Sequence, residues 1–332
     1  MASTLEDKIY GCLLGGLIGD AMGAPTEGKT YQQIQERFGP SGVTDFEGVG
    51  TDDTAIREQL IDAIFKAGGD VTCDHFAQSF IDHRARNYRL WFIPVRNAFH
   101  KFDAGLRLPA YAGWDNMQSS STAMSISPMG IINACDPRRA ALETLDVASV
   151  IHNGASGFCR DAACAMAAAV AAAFRVDATP ASVVAAATAH LLPVSAREMR
   201  ERIRETLALA DETGDYEAFR ATYYERHRYP TASDSRETVP ATFALFTLAG
   251  GDPERAILYG ANFGRDADTI ATMVGGLAGA LHGAAGLPRR WVEKVEANPD
   301  VRYREFVAGL EDIVRRRAAG AEAYASAIAA LG

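Results

Sequence analysis

The sequence predicts an all-α fold in one compact domain. Three observations predict it: apolar residues recur at helical spacing along most of the chain, no convincing series of alternating strands is present, and no strand–helix alternation appears. Leu5, Ile9, Cys12, Leu13 and Leu17 fall at i, i+4, i+7, i+8 and i+12, and Ile56, Leu60, Ile61 and Ile64 repeat the pattern. Residues 160–175, 180–192, 196–211, 238–249 and 269–284 read as further helices, with Pro180 and Pro240 in the first turns of theirs. The Ala-rich run Ala162–Phe174 is the most apolar stretch and reads as a buried helix. The loop-richest region is Lys101–Pro128, which carries Gly105, Pro109, Gly113 and the run Ser119-Ser120-Ser121-Thr122. A long polar loop inside a helical domain is often functional. Residues 296–332 read as an amphipathic C-terminal helical extension with Phe306, Leu310 and Ile313 on one face.

Composition narrows the function classes. The 332 residues exceed most single domains, but an all-helical fold can hold them in one core. Hydrophobic residues at 48% and charged residues at 23% exclude a disordered chain, a collagen or a rod. No apolar run reaches the roughly 18 residues that a membrane span needs. The first residues lack the basic end and apolar block of a secretory signal. A net charge of -9 disfavours non-specific binding to nucleic acid, which rests on phosphate neutralisation. The five cysteines are odd in number and form no C-x-x-C pair, so reduced thiols in a cytoplasmic protein are the simplest reading. No G-x-S-x-G, P-loop or dinucleotide glycine pattern is present.

Two helices carry glycine stripes. Gly11, Gly15, Gly19 and Gly23 fall every fourth residue, as do Gly275, Gly279 and Gly283. A helical glycine costs up to about 1 kcal/mol relative to alanine. Spacing of four places the glycines on one face, where two backbones can approach. The expectation is a central, close-packed helix pair.

Each stripe lies beside an acidic motif. Gly48-Val49-Gly50-Thr51-Asp52-Asp53-Thr54 leads into a helix expected from Ala55, and Gly264-Arg265-Asp266-Ala267-Asp268-Thr269 into one expected from Ile270. Taken singly, each motif could be an N-cap, since Asp and Thr accept bonds from unpaired helix amides. A helix needs one cap, however, not two aspartates and a threonine. If both segments met, four carboxylates would share a site and some would be forced to protonate. Divalent cations relieve that repulsion. Carboxylate, hydroxyl and carbonyl donors suit Mg²⁺, Mn²⁺ or Ca²⁺ rather than zinc or copper. Two such ions would sit about 3.5–4 Å apart in a two-metal site. A third segment, Gly19-Asp20-Ala21-Met22-Gly23-Ala24-Pro25-Thr26-Glu27, ends the first helix at Ala24-Pro25 and leaves Glu27 on the following loop. Glu27 is either a solvated loop carboxylate or a proton-handling group near the cations.

These segments together resemble the ADP-ribosylglycohydrolase family. Gly15–Glu27 is similar to the family's G-x-x-x-G-D-A-x-G-A-P-x-E opening, and Thr51–Thr54 to its T/S-D-D-T element. Met124 and Pro128 fit the second half of its G-N-G-x-x-M-R-x-x-P loop, and Ile151-His152-Asn153 resembles its T-H-x segment. Glu237–Ala241 and Gly264–Ile270 resemble its E-T-x-P-A and G-G-D-x-D-T elements, and Gly286-Leu287-Pro288 with Trp291 its closing I-P-x-x-W. The resemblance covers residues 7 to 295.

The resemblance implies an all-α glycosidase that cleaves an N- or O-glycosidic bond at ribose C1 with two Mg²⁺ or Mn²⁺ ions. It implies Thr51, Asp52, Asp53, Asp266, Asp268 and Thr269 as metal ligands. Asp53 or Asp268 would take a proton from water, and Glu27 would serve the leaving group. His152 would lie near the adenosine diphosphate part of a ligand; Ser120, Ser121 and Arg265 stand where the chain departs from the family and are candidates for the substrate side by their place in the chain. The partner expected is a small-molecule or ADP-ribosylated substrate, with neither nucleic acid nor membrane.

Two departures bear on that substrate. Ser119–Ser125 stands where the family has G-N-G-x-x-M-R, with both glycines, the asparagine and the arginine gone. Arg265 replaces the second glycine of G-G-D-x-D-T, where it could meet an anionic ligand or pair with an aspartate. A smaller riboside is therefore an alternative substrate. A catalytically silent metal- or ligand-binding member is the reading from another class. Tyr88, Trp91, Phe92 and Trp114 could stack on a base or fill the core.

Overall fold

The computed structural model describes residues 3–331, which form seventeen α-helices and no strand. α1 (Leu5–Gly23) starts at Thr4, whose hydroxyl accepts from the Asp7 amide, and ends where Ala24-Pro25 turns the chain into a 3₁₀ turn. α2 (Tyr31–Phe38), α3 (Asp52–Lys66), α4 (Cys73–Asn87) and α5 (Ile93–Asp103) follow. The serine-rich loop runs between α6 (Pro109–Ala112) and α7 (Ser127–Ile132). α8 (Pro137–Ala148) packs on α9 (Gly157–Ala173), which is buried along almost its whole length as its alanine run requires. α10 (Pro180–Ala189), α11 (Arg197–Thr213), α12 (Tyr216–Arg226), α13 (Ser235–Leu248) and α14 (Pro253–Ala261) lead to α15 (Ala267–His282). α16 (Arg289–Glu296) and α17 (Tyr303–Ala329) close the chain. Among the described residues no helix is long and apolar enough to cross a membrane.

The glycine stripes set the centre of the molecule. α1 and α15 touch along their lengths with backbone on backbone. A Cβ at Gly15 would lie 2.2 Å from the Gly275 carbonyl oxygen, and one at Gly279 would lie 1.9 Å from that of Gly11. No side chain fits at either position, so the lost helix propensity is offset by contact between main chains. Gly283 departs from the expected stripe. It lies just past α15 with φ +77°, where a Cβ would meet the Asp7 carboxylate.

Pro240 is also corrected. α13 starts at Ser235, because the Asp234 carboxylate accepts from the Arg236 amide, and Pro240 lies inside the helix rather than in its first turn. α17 divides in two. Tyr303, Val307, Leu310 and Ile313 are buried, with Phe306 half-buried beside them, whereas residues 318–331 are exposed throughout. Its Tyr303 hydroxyl accepts a 2.7 Å bond from Arg57, a guanidinium only 1% exposed.

Candidate active site

Close packing of α1 on α15 brings Asp20, the only charged residue between Ile9 and Gly23, beside the first turn of α3. Its buried carboxylate accepts four bonds. They come from the Thr51 amide (2.8 Å), the Thr51 hydroxyl (2.9 Å), the Thr54 amide (3.0 Å) and the Thr54 hydroxyl (2.6 Å). Gly50, at φ +88°, makes this possible, since a Cβ there would lie 2.5 Å from the same carboxylate. Asp20 thus caps α3 from another helix. Thr51 and Asp266, the residues at the N-caps of α3 and α15, make no side-chain capping bond. The helices begin at Asp52 and Ala267, three residues before the expected starts, so Asp52, Asp53 and Asp268 lie in first turns. There the positive helix ends favour their charge.

The two motifs meet. The Thr269 hydroxyl lies 3.4 Å from Asp53 Oδ2, across more than 200 residues of chain. Carboxylate oxygens of Asp20, Asp53 and Asp268 lie within 4.8 Å of one another, as do those of Glu27, Asp266 and Asp268. Asp53 Oδ1, Asp266 Oδ2 and Asp268 Oδ1 are buried with no hydrogen-bond partner. Burial first, and then neighbouring negative charge, raises these acids. Asp52 is pushed up to about 7, with Asp20 the main neighbour, and Asp266 to about 8, with Glu27 and Asp52 the main neighbours. Asp53 and Asp268 are held well above the usual carboxylate range by the same causes. Orphaned, crowded carboxylates at two helix N-termini fit hard divalent cations.

The acids form the floor of a cleft of about 520 Å³, a size ordinary for a small-molecule site. Glu27 is exposed at its rim, and its carboxyl is raised by partial desolvation and by Asp20. The Glu27 loop is tied to the second motif by two backbone bonds, from Gly28 N to Arg265 O at 2.7 Å and from Arg265 N to Lys29 O at 2.6 Å.

Four residues expected on the substrate side have different surroundings. His152 is fully buried and outside the cleft. It bonds Thr122 Oγ1 at 2.5 Å and Ser119 Oγ at 3.3 Å, and burial pushes it down to about 3, so it is a neutral support for the serine loop. Ser120 lines the cleft, but its hydroxyl donates to Ser233 O at 2.9 Å. Ser121 lines it too and accepts from Ser119. Arg265 lines the cleft in a left-handed backbone conformation (φ 63°) and pairs with Glu237, not with an aspartate. Both guanidinium contacts to that carboxylate are short, at 2.7 and 2.8 Å, and Tyr229 O accepts a third. Thr51 lies beside the cluster with its proton on Asp20, so lone pairs alone remain for a cation. Trp91 and Phe92 line the cleft, whereas Tyr88 and Trp114 do not.

Two contributors escaped the sequence reading. Asp20 had a visible signal, an aspartate alone in an apolar glycine helix. Arg96, which α5 brings to the cleft, had none, because nothing in its neighbourhood marks it.

The fold and the cleft define an all-helical protein with a buried cluster of oxygen donors where two helix N-termini converge. Residues 1–325 match the model of the ADP-ribosylglycohydrolase family, and the chain belongs to that family: it is a glycosidase. The match runs past residue 295, where the resemblance in sequence ends, and takes in most of α17. The chain is 27% identical over 316 residues to an uncharacterized protein of Archaeoglobus fulgidus, covering 87% of this chain and 92% of that one. It is 24% identical to the Escherichia coli protein YegU, covering 94% and 99%. It is 26% identical to the ADP-ribosylarginine hydrolase Tri1 of Pseudomonas putida, covering 87% and 74%. Among solved structures, an ADP-ribosylglycohydrolase-related protein complex superposes with a TM-score of 0.69 at 22% identity, covering 94% of this chain and 98% of that one, which shows the shared fold.

Proposed function

We propose that this protein hydrolyses a glycosidic bond at C1 of a ribosyl group, with two Mg²⁺ or Mn²⁺ ions held by Thr51, Asp52, Asp53, Asp266, Asp268 and Thr269. One observation carries the reading: carboxylates from two distant motifs converge at the floor of one cleft with buried oxygens left unpartnered. Hard cations bound there supply Lewis acidity to sugar oxygens and to water.

The remaining work falls to side chains. Asp53 and Asp268 would each keep a carboxylate lone pair not used on the cations, and either can accept the proton of the attacking water there. Glu27 stands at the rim with its pKa raised by partial desolvation and by Asp20, the direction that favours carrying a proton to a departing nitrogen or oxygen. Asp20 holds the Thr51–Thr54 turn, and the Arg265 backbone holds the Glu27 loop, so both carboxylate groups are positioned before substrate arrives.

The substrate is a ribosyl compound, either ADP-ribosylated or smaller. The serine loop favours the smaller riboside, because Ser120 gives its proton to the Ser233 carbonyl and not to the cleft. The test is to incubate the purified protein with Mg²⁺ or Mn²⁺ and ADP-ribosyl-arginine, ADP-ribosyl-serine and simple nucleosides, and to measure released sugar. Metal-dependent release is expected, and Asp52→Asn or Asp268→Asn should lower it by more than about 100-fold while the fold survives. Full activity in either variant, or release unaffected by EDTA, overturns the proposal.

A further inference from the structure

The floor of the cleft is taken by the acids, the cations proposed for them and the sugar, so an anionic group elsewhere on a substrate needs its partner on another wall. The serine loop provides no charge and at most one neutral donor, the Ser121 hydroxyl, which accepts from Ser119. Ser119 donates to Ser121, the Ser121 amide donates back to Ser119 Oγ, Ser120 donates to Ser233 O, and Thr122 is engaged with His152. Arg265 is neutralised by the Glu237 carboxylate. One more cation lines the cleft, Arg96 of α5.

Arg96 has no carboxylate within ion-pair distance among the described residues. It is not a loose surface side chain either. Its guanidinium lies 5.4 Å from the centre of the Tyr88 ring, and one arm donates to Arg89 O at 2.8 Å. Its Nε is buried with no hydrogen-bond partner. Beside it runs a shelf from Leu90 to Ile93 that also lines the cleft, with Leu90 42% and Ile93 51% exposed. A braced, half-buried guanidinium next to exposed apolar surface is suited to a planar, two-pronged grip on phosphate oxygens.

Resting on the ribosyl-hydrolase reading above, we propose that Arg96 is the anion anchor of the cleft, the residue on which this chain seats a phosphoryl group of its substrate. The phosphoryl group docks on Arg96, an apolar part of the ligand covers Leu90 and Ile93, and the sugar reaches the acidic floor. Recognition of the anion has then passed from the serine loop to α5.

Calorimetric titration of the Mg²⁺-supplied protein with ribose 5-phosphate, ADP-ribose, ribose and adenosine tests this. The phosphorylated probes should bind at least about 10-fold tighter than their uncharged counterparts. The two phosphorylated probes separate a monoester from a diphosphate as the preferred source. Arg96→Gln should weaken both by about 10- to 100-fold and leave adenosine unchanged. Arg96→Lys should recover part of the loss, because an ammonium keeps the charge but not the fork. If Arg96→Gln fails to fold, the Lys variant decides: undiminished affinity for ribose 5-phosphate and ADP-ribose overturns the inference. So does a Gln variant that binds like the parent, or a parent that does not prefer phosphorylated probes. Mn²⁺ titration of the same proteins separates the two readings. Metal binding without phosphate preference sinks only the role of Arg96, whereas absent metal binding sinks the ribosyl-hydrolase proposal itself.

Discussion

Asp52 and Asp266 show what it costs to gather acids in a buried place. In the unfolded chain such groups titrate near 3.8; here they are raised to about 7 and about 8. The folded state therefore holds protons that the unfolded chain has released. The stabilisation this gives is complete below 3.8 and is lost as pH rises through 7 for Asp52 and through 8 for Asp266. The metal-free protein should accordingly lose roughly 5 °C of melting temperature between pH 5 and pH 8, and Mg²⁺ or Mn²⁺ at pH 8 should restore it. Melting curves in EDTA that are flat across this range would contradict the crowding of charge. The residue types of the cluster were legible in the sequence, because a doubled Asp-Thr pattern exceeds what one helix cap requires. The partner of Arg265 was not, since Glu237 lies 28 residues away and nothing local to either residue links them.

At the scale of elements, the contact between α1 and α15 places the site. Both N-terminal acidic turns depend on this pair, one through Asp20 and the other through the first turn of α15 itself. The glycine period announced a close approach, but it did not say which glycines are indispensable. Gly276 faces away from the tightest contact, and a Cβ there would lie 3.6 Å from the Cys12 carbonyl, an ordinary distance. Gly276→Ala should therefore stabilise the protein by about 0.5–1 kcal/mol through helix propensity. Gly279→Ala should destabilise it by about 3 kcal/mol or more, because the new carbon would overlap the Gly11 carbonyl. Chemical denaturation of the two variants is the comparison, and equal midpoints would refute the backbone-on-backbone packing.

Across the whole molecule, α17 joins the end of the chain to the wall behind the site. Tyr303 is the hydroxyl acceptor of the buried Arg57, one helical turn from Asp53. Tyr303→Phe should cost about 1–3 kcal/mol of stability, as a buried guanidinium loses its bond. Removal of residues 318–332 should leave the melting temperature within about 2 °C, since residues 318–331 are all exposed. A large loss on that truncation would mean that the exposed half of the helix supports the fold. The amphipathic pattern of this segment was readable, with Leu310 and Ile313 inward as expected. Its attachment to Arg57 was not, for the two residues are 246 positions apart.

The sequence by itself determined the helical class, the central glycine-striped pair and the acids of the floor. Each of these is written in short-range order: apolar period, glycine spacing, two aspartates beside a threonine. Tertiary structure alone decided that Asp20 caps another helix, that His152 stands behind the serine loop and outside the cleft, that Arg265 is neutralised, and that Arg96 lines the same cleft as the acids without a carboxylate of its own. Those assignments depend on which hydrogen-bonding and charged groups satisfy one another across long stretches of chain, and such pairing leaves no periodic trace in the order of residues.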